Sequence, residues 1–247
     1  MDVPLLLRVL VFFAKMVRMG LPKILLTNDD GWDAPGLEAL KVLAAKLGDV
    51  YVLAPRDPHS YAGHRVTTDA ALQLTETAPR QLMLTGTPAD CVRVAMTTMF
   101  PEVDWVIAGI NRGGNLGADL FTSGTVAAAR EAALLGKPAI AISQYIRRGL
   151  NLDWNRSRKM ARPILERLIA QGCVAKSFWN INLPHLENGE VPGVVQCEPD
   201  NQPLDVRYER EGEQIRYVGT YPGRPRTPGK DVDHCFAGSV TISRVTL

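Results

Sequence analysis

The chain has little cysteine, little histidine, few aromatic residues and almost no net charge. Its 247 residues include four cysteines and four histidines, 6% are aromatic, and 28 Lys and Arg stand against 26 Asp and Glu, for a formal net charge of +2. Each scarcity closes off a class of protein. Cys91, Cys173, Cys197 and Cys235 lie far apart with no C-x-x-C pair, which argues against a zinc site or a disulfide scaffold and points to a reducing, cytoplasmic setting. The charge excess sits entirely in residues 1–20, where Arg8, Lys15 and Arg18 face Asp2. The rest of the chain is neutral, whereas proteins that grip long nucleic acids concentrate basic residues to displace counterions from phosphates. A nucleic-acid polymer is therefore not expected as a partner, although a single nucleotide is compatible. No run approaches the about 18 apolar residues of a membrane span, so no membrane partner is expected either.

What is present is a globular chain, 46% hydrophobic and long enough to bury a substantial core without disulfides or a structural metal. Residues 1–20 form an N-terminal extension whose apolar runs are split by Arg8 and followed by no A-x-A-like cleavage site. It reads as a short accessory helix or as sequence upstream of a start at Met16 or Met19. From Pro22 onward, short apolar runs alternate with helical periods, the pattern of an α/β fold on a mostly parallel sheet. Strands are expected at 24–27, 50–54, 105–110, 138–143 and 178–183, and a looser β excursion at 66–86. Helices are expected behind Pro35-Gly36, behind the Thr87 cap with Pro88 at its first position, at 126–135 and at 158–171. The core runs over residues 21–184. Residues 185–247 are richer in Gly and Pro, and 206–218 alternates like an exposed hairpin around Gly212. We expect this extension to lie on the core or on a second subunit.

In open parallel sheets, ligands bind beyond the carboxyl ends of the strands. There the sequence places Asn28-Asp29-Asp30-Gly31, then Ser60 in the loop after the second strand, then Asn111. Two carboxylates, a hydroxyl and an amide carbonyl are hard oxygen donors suited to Mg²⁺ or Mn²⁺. Asp29 and Asp30 are also ordinary turn and cap residues. Adjacent like charges repel, however, and a cation between them relieves that cost. Ser123-Gly124-Thr125 opens an Ala-rich helix, where free N–H groups and the dipole suit an anion, although Ser123 or Thr125 could act simply as an N-cap. The Gly/Asn-rich run 109–117 adds backbone able to approach a phosphate. Metal beside anion site suggests phosphate chemistry. The D-D-G spacing departs from the D-x-D-G of aspartyl-phosphate phosphatases and favours attack by metal-activated water over a covalent intermediate. Asn28 and His64 are candidate supporting residues, His64 reaching a phosphate or a site carboxylate, or serving the fold. His59, His185 and His234 read as structural or surface residues, and Cys91 as core.

The segments Ile24–Gly31 with Ala34-Pro35-Gly36, Ala54-Pro55 with Ser60 and Gly63-His64, Gly86–Cys91, Gly109–Asn111 with Asn115–Gly117, and Ser123–Ala128 together resemble the SurE survival-protein family. The match is ordered over residues 24–143, and Asp233 and Gly238–Ser243 resemble the family's C-terminal end. The resemblance implies a Rossmann-like, three-layer core and a metal-dependent 5′-nucleotidase acting on nucleoside 5′- or 3′-monophosphates. It implies one Mg²⁺ or Mn²⁺ per subunit held by Asp29, Asp30, Ser60 and Asn111, with Asp29 and Asp30 catalytic. It implies a phosphate lined by Asn115, Ser123, Gly124 and Thr125, and a homodimer or tetramer joined through the C-terminal extension. Where the family tends to have an acidic residue and a Tyr before Ser-Gly-Thr, this chain has Ala118, Phe121 and Thr122, and Gly238-Ser239 replaces a Gly-Tyr. A broad phosphatase or exopolyphosphatase, or a nucleotide-binding module without turnover, is the alternative reading.

Overall fold

Alternation of side chains along the strands sets the layers. In the computed structural model, which describes residues 20–247 except Asn188, strand β1 (Lys23–Thr27) turns Leu25 to one face and Ile24 and Leu26 to the other. Strands β2 (Asp49–Pro55), β5 (Trp105–Arg112), β6 (Ala139–Gln144) and β7 (Ser177–Leu183) are buried on both faces over most of their length, as expected for parallel strands covered on both sides. Helices α1 (Pro35–Ala44) and α5 (Trp154–Gln171) cover one face through Leu37, Leu40, Ile164 and Leu168. Helices α2 (Pro88–Val94) and α4 (Gly124–Leu134) cover the other through Cys91, Val92, Val126 and a row of alanines. Each fully buried Leu or Ile contributes about 1.5–3 kcal/mol. The fold is a three-layer, Rossmann-like α/β arrangement.

With β3 (Leu74–Ala78), β4 (Gln81–Leu84), β8 (Val194–Gln196) and β11 (Val240–Thr246), the main sheet has the order β3-β4-β2-β1-β5-β6-β7-β11-β8. From β1 the chain moves outward through β2, then returns to place β5 on the other side of β1, both pairings being parallel. This reversal creates a crevice at the carboxyl edge beside β1. The excursion expected at 66–86 is the antiparallel pair β3 (Leu74–Ala78) and β4 (Gln81–Leu84) at one sheet edge. Thr87 caps α2 with a reciprocal capping box through Asp90, as its position before Pro88 predicts. Helix α5 starts at Trp154 rather than Arg158, because Asp153 accepts from the Asn155 N–H at 2.9 Å and opens a polar first turn that apolar periodicity does not reveal.

Beyond Leu183 the chain re-enters the sheet. Strand β8 (Val194–Gln196) pairs with β11 (Val240–Thr246), and β11 runs antiparallel to β7 with its first four residues buried. Between them, β9 (Tyr208–Glu211) and β10 (Gln214–Tyr217) form a separate, fully exposed hairpin, with Gly212 at φ 60° in its turn. Two short helices complete the chain, α3 (Asp119–Thr122) before α4 and α6 (Asp231–Phe236) before β11. Among the described residues, no helix is long and apolar enough to cross a membrane.

Candidate active site

Asn28-Asp29-Asp30-Gly31 leaves β1 at the reversal point. Asn28 is fully buried and its amide donates to the Gly31 carbonyl at 2.7 Å, closing a tight turn. Gly31 sits at φ 108°, where a side chain would be strained. This turn sends the two carboxylates in different directions. Asp29 points into the protein and accepts from the Thr125 hydroxyl at 2.5 Å. Asp30 stays nearer the surface and accepts from the Arg112 backbone N–H at 2.9 Å.

Burial pushes the Asp29 carboxyl up to about 6; the Thr125 bond opposes that rise and the Asp30 charge adds to it. Burial also raises Asp30, against the pull of the Arg112 N–H and the Arg112 charge. Two carboxylates so placed carry charge at a cost that a bound cation would lower. Helix α4 reaches Asp29 closely because its first residue lacks a side chain: a Cβ on Gly124 would lie 2.9 Å from Asp29 Cβ and 3.0 Å from its Oδ2. Ser123 caps the helix, its hydroxyl accepting from the Val126 N–H at 3.1 Å. The helix's positive end is thus directed at Asp29.

Two loops complete the surroundings. The His59 N–H donates to the Asp29 carbonyl at 2.7 Å, which brings Ser60, exposed and next in sequence, to the rim beside Asp29. The Gly63 N–H donates to the Thr122 carbonyl at 3.0 Å and ties the same loop to the approach to α4. Asn111 follows at the end of β5, past a register shift between β5 and β6, with its side-chain nitrogen donating to the Gly113 carbonyl at 2.9 Å.

The family model described as "Survival protein SurE" matches residues 24–204. The chain belongs to the SurE family. A Synechocystis protein named as a 5′-nucleotidase is 48% identical over 224 residues, spanning 90% of this chain and 99% of its own length. A "5′-nucleotidase SurE" from Paramagnetospirillum magneticum is 34% identical over 229 residues, spanning 90% of this chain and 88% of its own. Among solved structures, the SurE protein from Aquifex aeolicus superposes with a TM-score of 0.81 at 30% identity, covering 91% of this chain and 93% of that one.

In this SurE-family chain the structure brings Asp29 into direct contact with Gly124 and Thr125, while Asp30 meets the Arg112 backbone, with Ser60, Asn111 and Ser123 on adjoining backbone. Two expected residues lie differently. Asn115 is buried: its N–H donates to Asn182 Oδ1, its carbonyl accepts from the Asn180 and Asn182 amides, and its side-chain nitrogen donates to Ser143 Oγ at 2.8 Å. It braces the loop from within. His64 meets Glu131 Oε2 at 2.6 Å, on a carboxylate also held by Arg93 Nε at 2.7 Å. It therefore ties the Ser60 loop to α4 rather than contacting Asp29 or Asp30.

The sequence reading missed the clamp behind the Gly/Asn-rich loop and α3. Arg224 donates to Asp119 Oδ2 at 2.7 Å and to the Leu116 carbonyl at 3.1 Å, and the Tyr221 hydroxyl donates to the same Asp119 oxygen at 2.7 Å. Buried Asp231 accepts from the Gly117 and Asp200 N–H groups at 2.8 and 2.7 Å. These partners are more than a hundred residues apart along the chain, apart from the Asp200 contact, so no local pattern announces them. Only the closely spaced charges of the tail offered a signal.

Proposed function

We propose that this chain is a divalent-metal-dependent 5′-nucleotidase, hydrolysing nucleoside 5′-monophosphates, and 3′-monophosphates as a second class, to nucleoside and phosphate. The observation that carries the reading is the contact of Asp29 with the N-terminus of α4 at the sheet's reversal point, with Asp30 next to it in the chain. Family membership and the nucleotidase names of relatives support it. Asp29, Asp30, Ser60 and Asn111 would hold Mg²⁺ or Mn²⁺. The fit is chemical: all four offer hard oxygens, and the fully buried Oδ1 of Asn28, directly before the pair, has no hydrogen-bond partner. A bound ion supplies Lewis acidity toward phosphoryl oxygens and makes water a stronger acid.

The chain's own groups do the rest. The N–H groups at Gly124 and Thr125 and the helix dipole attract the phosphate dianion and the charge that develops on it. Thr125 holds Asp29 in place through its hydroxyl. Asp30, on the solvent side, orients the attacking water and accepts its proton. The exposed hairpin, which presents Val206, Tyr208, Ile215 and Tyr217 to solvent, supports self-association through residues 185–247, because an isolated two-stranded hairpin is marginal in water. The four cysteines, all free thiols, fit a reducing cytoplasm.

The test is phosphate release by metal-stripped protein with Mg²⁺ or Mn²⁺ restored, on 5′- and 3′-nucleoside monophosphates and short polyphosphate, beside Asp30→Asn. The expected result is metal-dependent release from nucleotides that falls about 10²–10⁴-fold in the variant. Unchanged turnover by Asp30→Asn would remove the pair from the mechanism, and a preference for polyphosphate would favour the exopolyphosphatase reading.

A further inference from the structure

A cleft of about 300 Å³ opens on the solvent side of Asp30, with Asp33, Gly36, Arg112 and Trp154 in its lining. Ligand cavities begin at about this size. Asp30 belongs both to this cleft and to the carboxylate pair, so a ligand filling the cleft and reaching α4 has its ester bond beside Asp30. The first turn of α1 supplies the floor. A Cβ at Gly36 would lie 2.0 Å from the Ile110 carbonyl oxygen and 3.0 Å from Trp154 Cη2, so bare backbone separates the indole from β5. Trp154 is half-buried, packed on the apolar core by one side. Its position as the first residue of α5, behind the Asp153 cap, fixes the ring on a rigid element.

We propose that this cleft seats the nucleoside of a nucleotide substrate, with the Trp154 indole as the stacking platform for the base. The proposal rests on the phosphatase reading above and names what lies beyond the phosphate. A base is planar and neutral, and stacks on an indole or a guanidinium; Trp154 and Arg112 supply both. Ribose hydroxyls need acceptors, and the exposed carboxylate of Asp33 is one. Trp154 is thus a specificity-determining residue, distinct from the groups that meet the phosphate.

The experiment compares AMP with ribose 5-phosphate, which carries the same phosphate and sugar without a base. In Trp154→Ala, the ratio of kcat/KM for AMP to that for ribose 5-phosphate is expected to fall about tenfold, mainly through KM, with Trp154→Phe recovering most of it. An unchanged ratio, including an equal fall on both substrates, would overturn the proposal while leaving the phosphatase reading intact. If wild-type protein releases phosphate from neither ester, the phosphatase reading fails, and the cleft is then read by calorimetry with adenosine. Adenosine binding lost in Trp154→Ala supports the cleft; equal binding by both proteins, or none by wild type, overturns it.

Discussion

Replacing Arg224 by Met should unfasten the C-terminal extension from the loop that precedes α4. Arg224 lies with only 1% of its side chain exposed, 2.7 Å from Asp119, itself 12% exposed. Removing one partner of a buried ion pair leaves an uncompensated charge and costs about 3–5 kcal/mol. Two features favour the lower end: Asp119 keeps the Tyr221 hydroxyl and the Leu116 N–H, and Arg224 Nε is already buried without a partner. A loss of about 3 kcal/mol lowers Tm by about 6–12 °C, since each kcal/mol is worth about 2–4 °C in a chain this long. Asp119→Asn strands the guanidinium instead and should cost a comparable amount. In a double-mutant cycle followed by thermal denaturation, the double variant should lose less than the sum of the two. KM for nucleotides should rise in each variant, because Leu116 and Asp119 lie in the loop leading to Ser123. A Tm within about 2 °C of wild type, or strict additivity in the cycle, would refute a clamp built on this pair.

Gly124→Ala should cost about 1–3 kcal/mol by overpacking, because the new Cβ meets Asp29 Cβ at 2.9 Å and Pro88 Cγ at 3.2 Å; wild-type Tm together with wild-type turnover would show that α4 has room to spare. Glu131 carries a pH signature. Burial pushes its carboxyl up, but the bonds from His64 and Arg93 outweigh that and hold it below the ordinary 4.5. Its folded form therefore binds its proton less readily than the unfolded chain does. The stabilisation is complete above the ordinary carboxylate range and is lost as pH falls through the lowered value. The Tm gap between wild type and Glu131→Gln should be widest above pH 4.5 and close in more acid solution; a gap that widens toward acid would refute this linkage.

The local features were legible because local chemistry produces them. Thr87-Pro88 announces a capped helix, the apolar run Ile24–Thr27 announces a strand covered on both faces, and an alanine-rich segment after Ser123 announces a helix that packs close to a sheet. The reading of strand ends as ligand positions follows from any parallel α/β order, which is why Asp29, Asp30 and Thr125 could be singled out; Asp29 and Thr125 are in contact. Asn115 and His64 were harder. Each can serve a ligand or a neighbouring side chain, and which it does depends on Asn182, Ser143 and Glu131, which lie 28 or 67 residues away.

Composition, periodicity and capping signals depend on residues within a turn or two of one another, so the chain alone announced its class, the core strands up to residue 183 and a set of candidate oxygen donors. Long-range pairing carries no such trace. That β11 returns to flank β7, that Arg224 and Tyr221 reach Asp119, and that Trp154 closes a cleft against the bare backbone of Gly36 are consequences of how the layers pack. Contacts across more than a hundred residues are selected by burial and by satisfaction of buried polar groups, and those conditions exist only once the fold has formed.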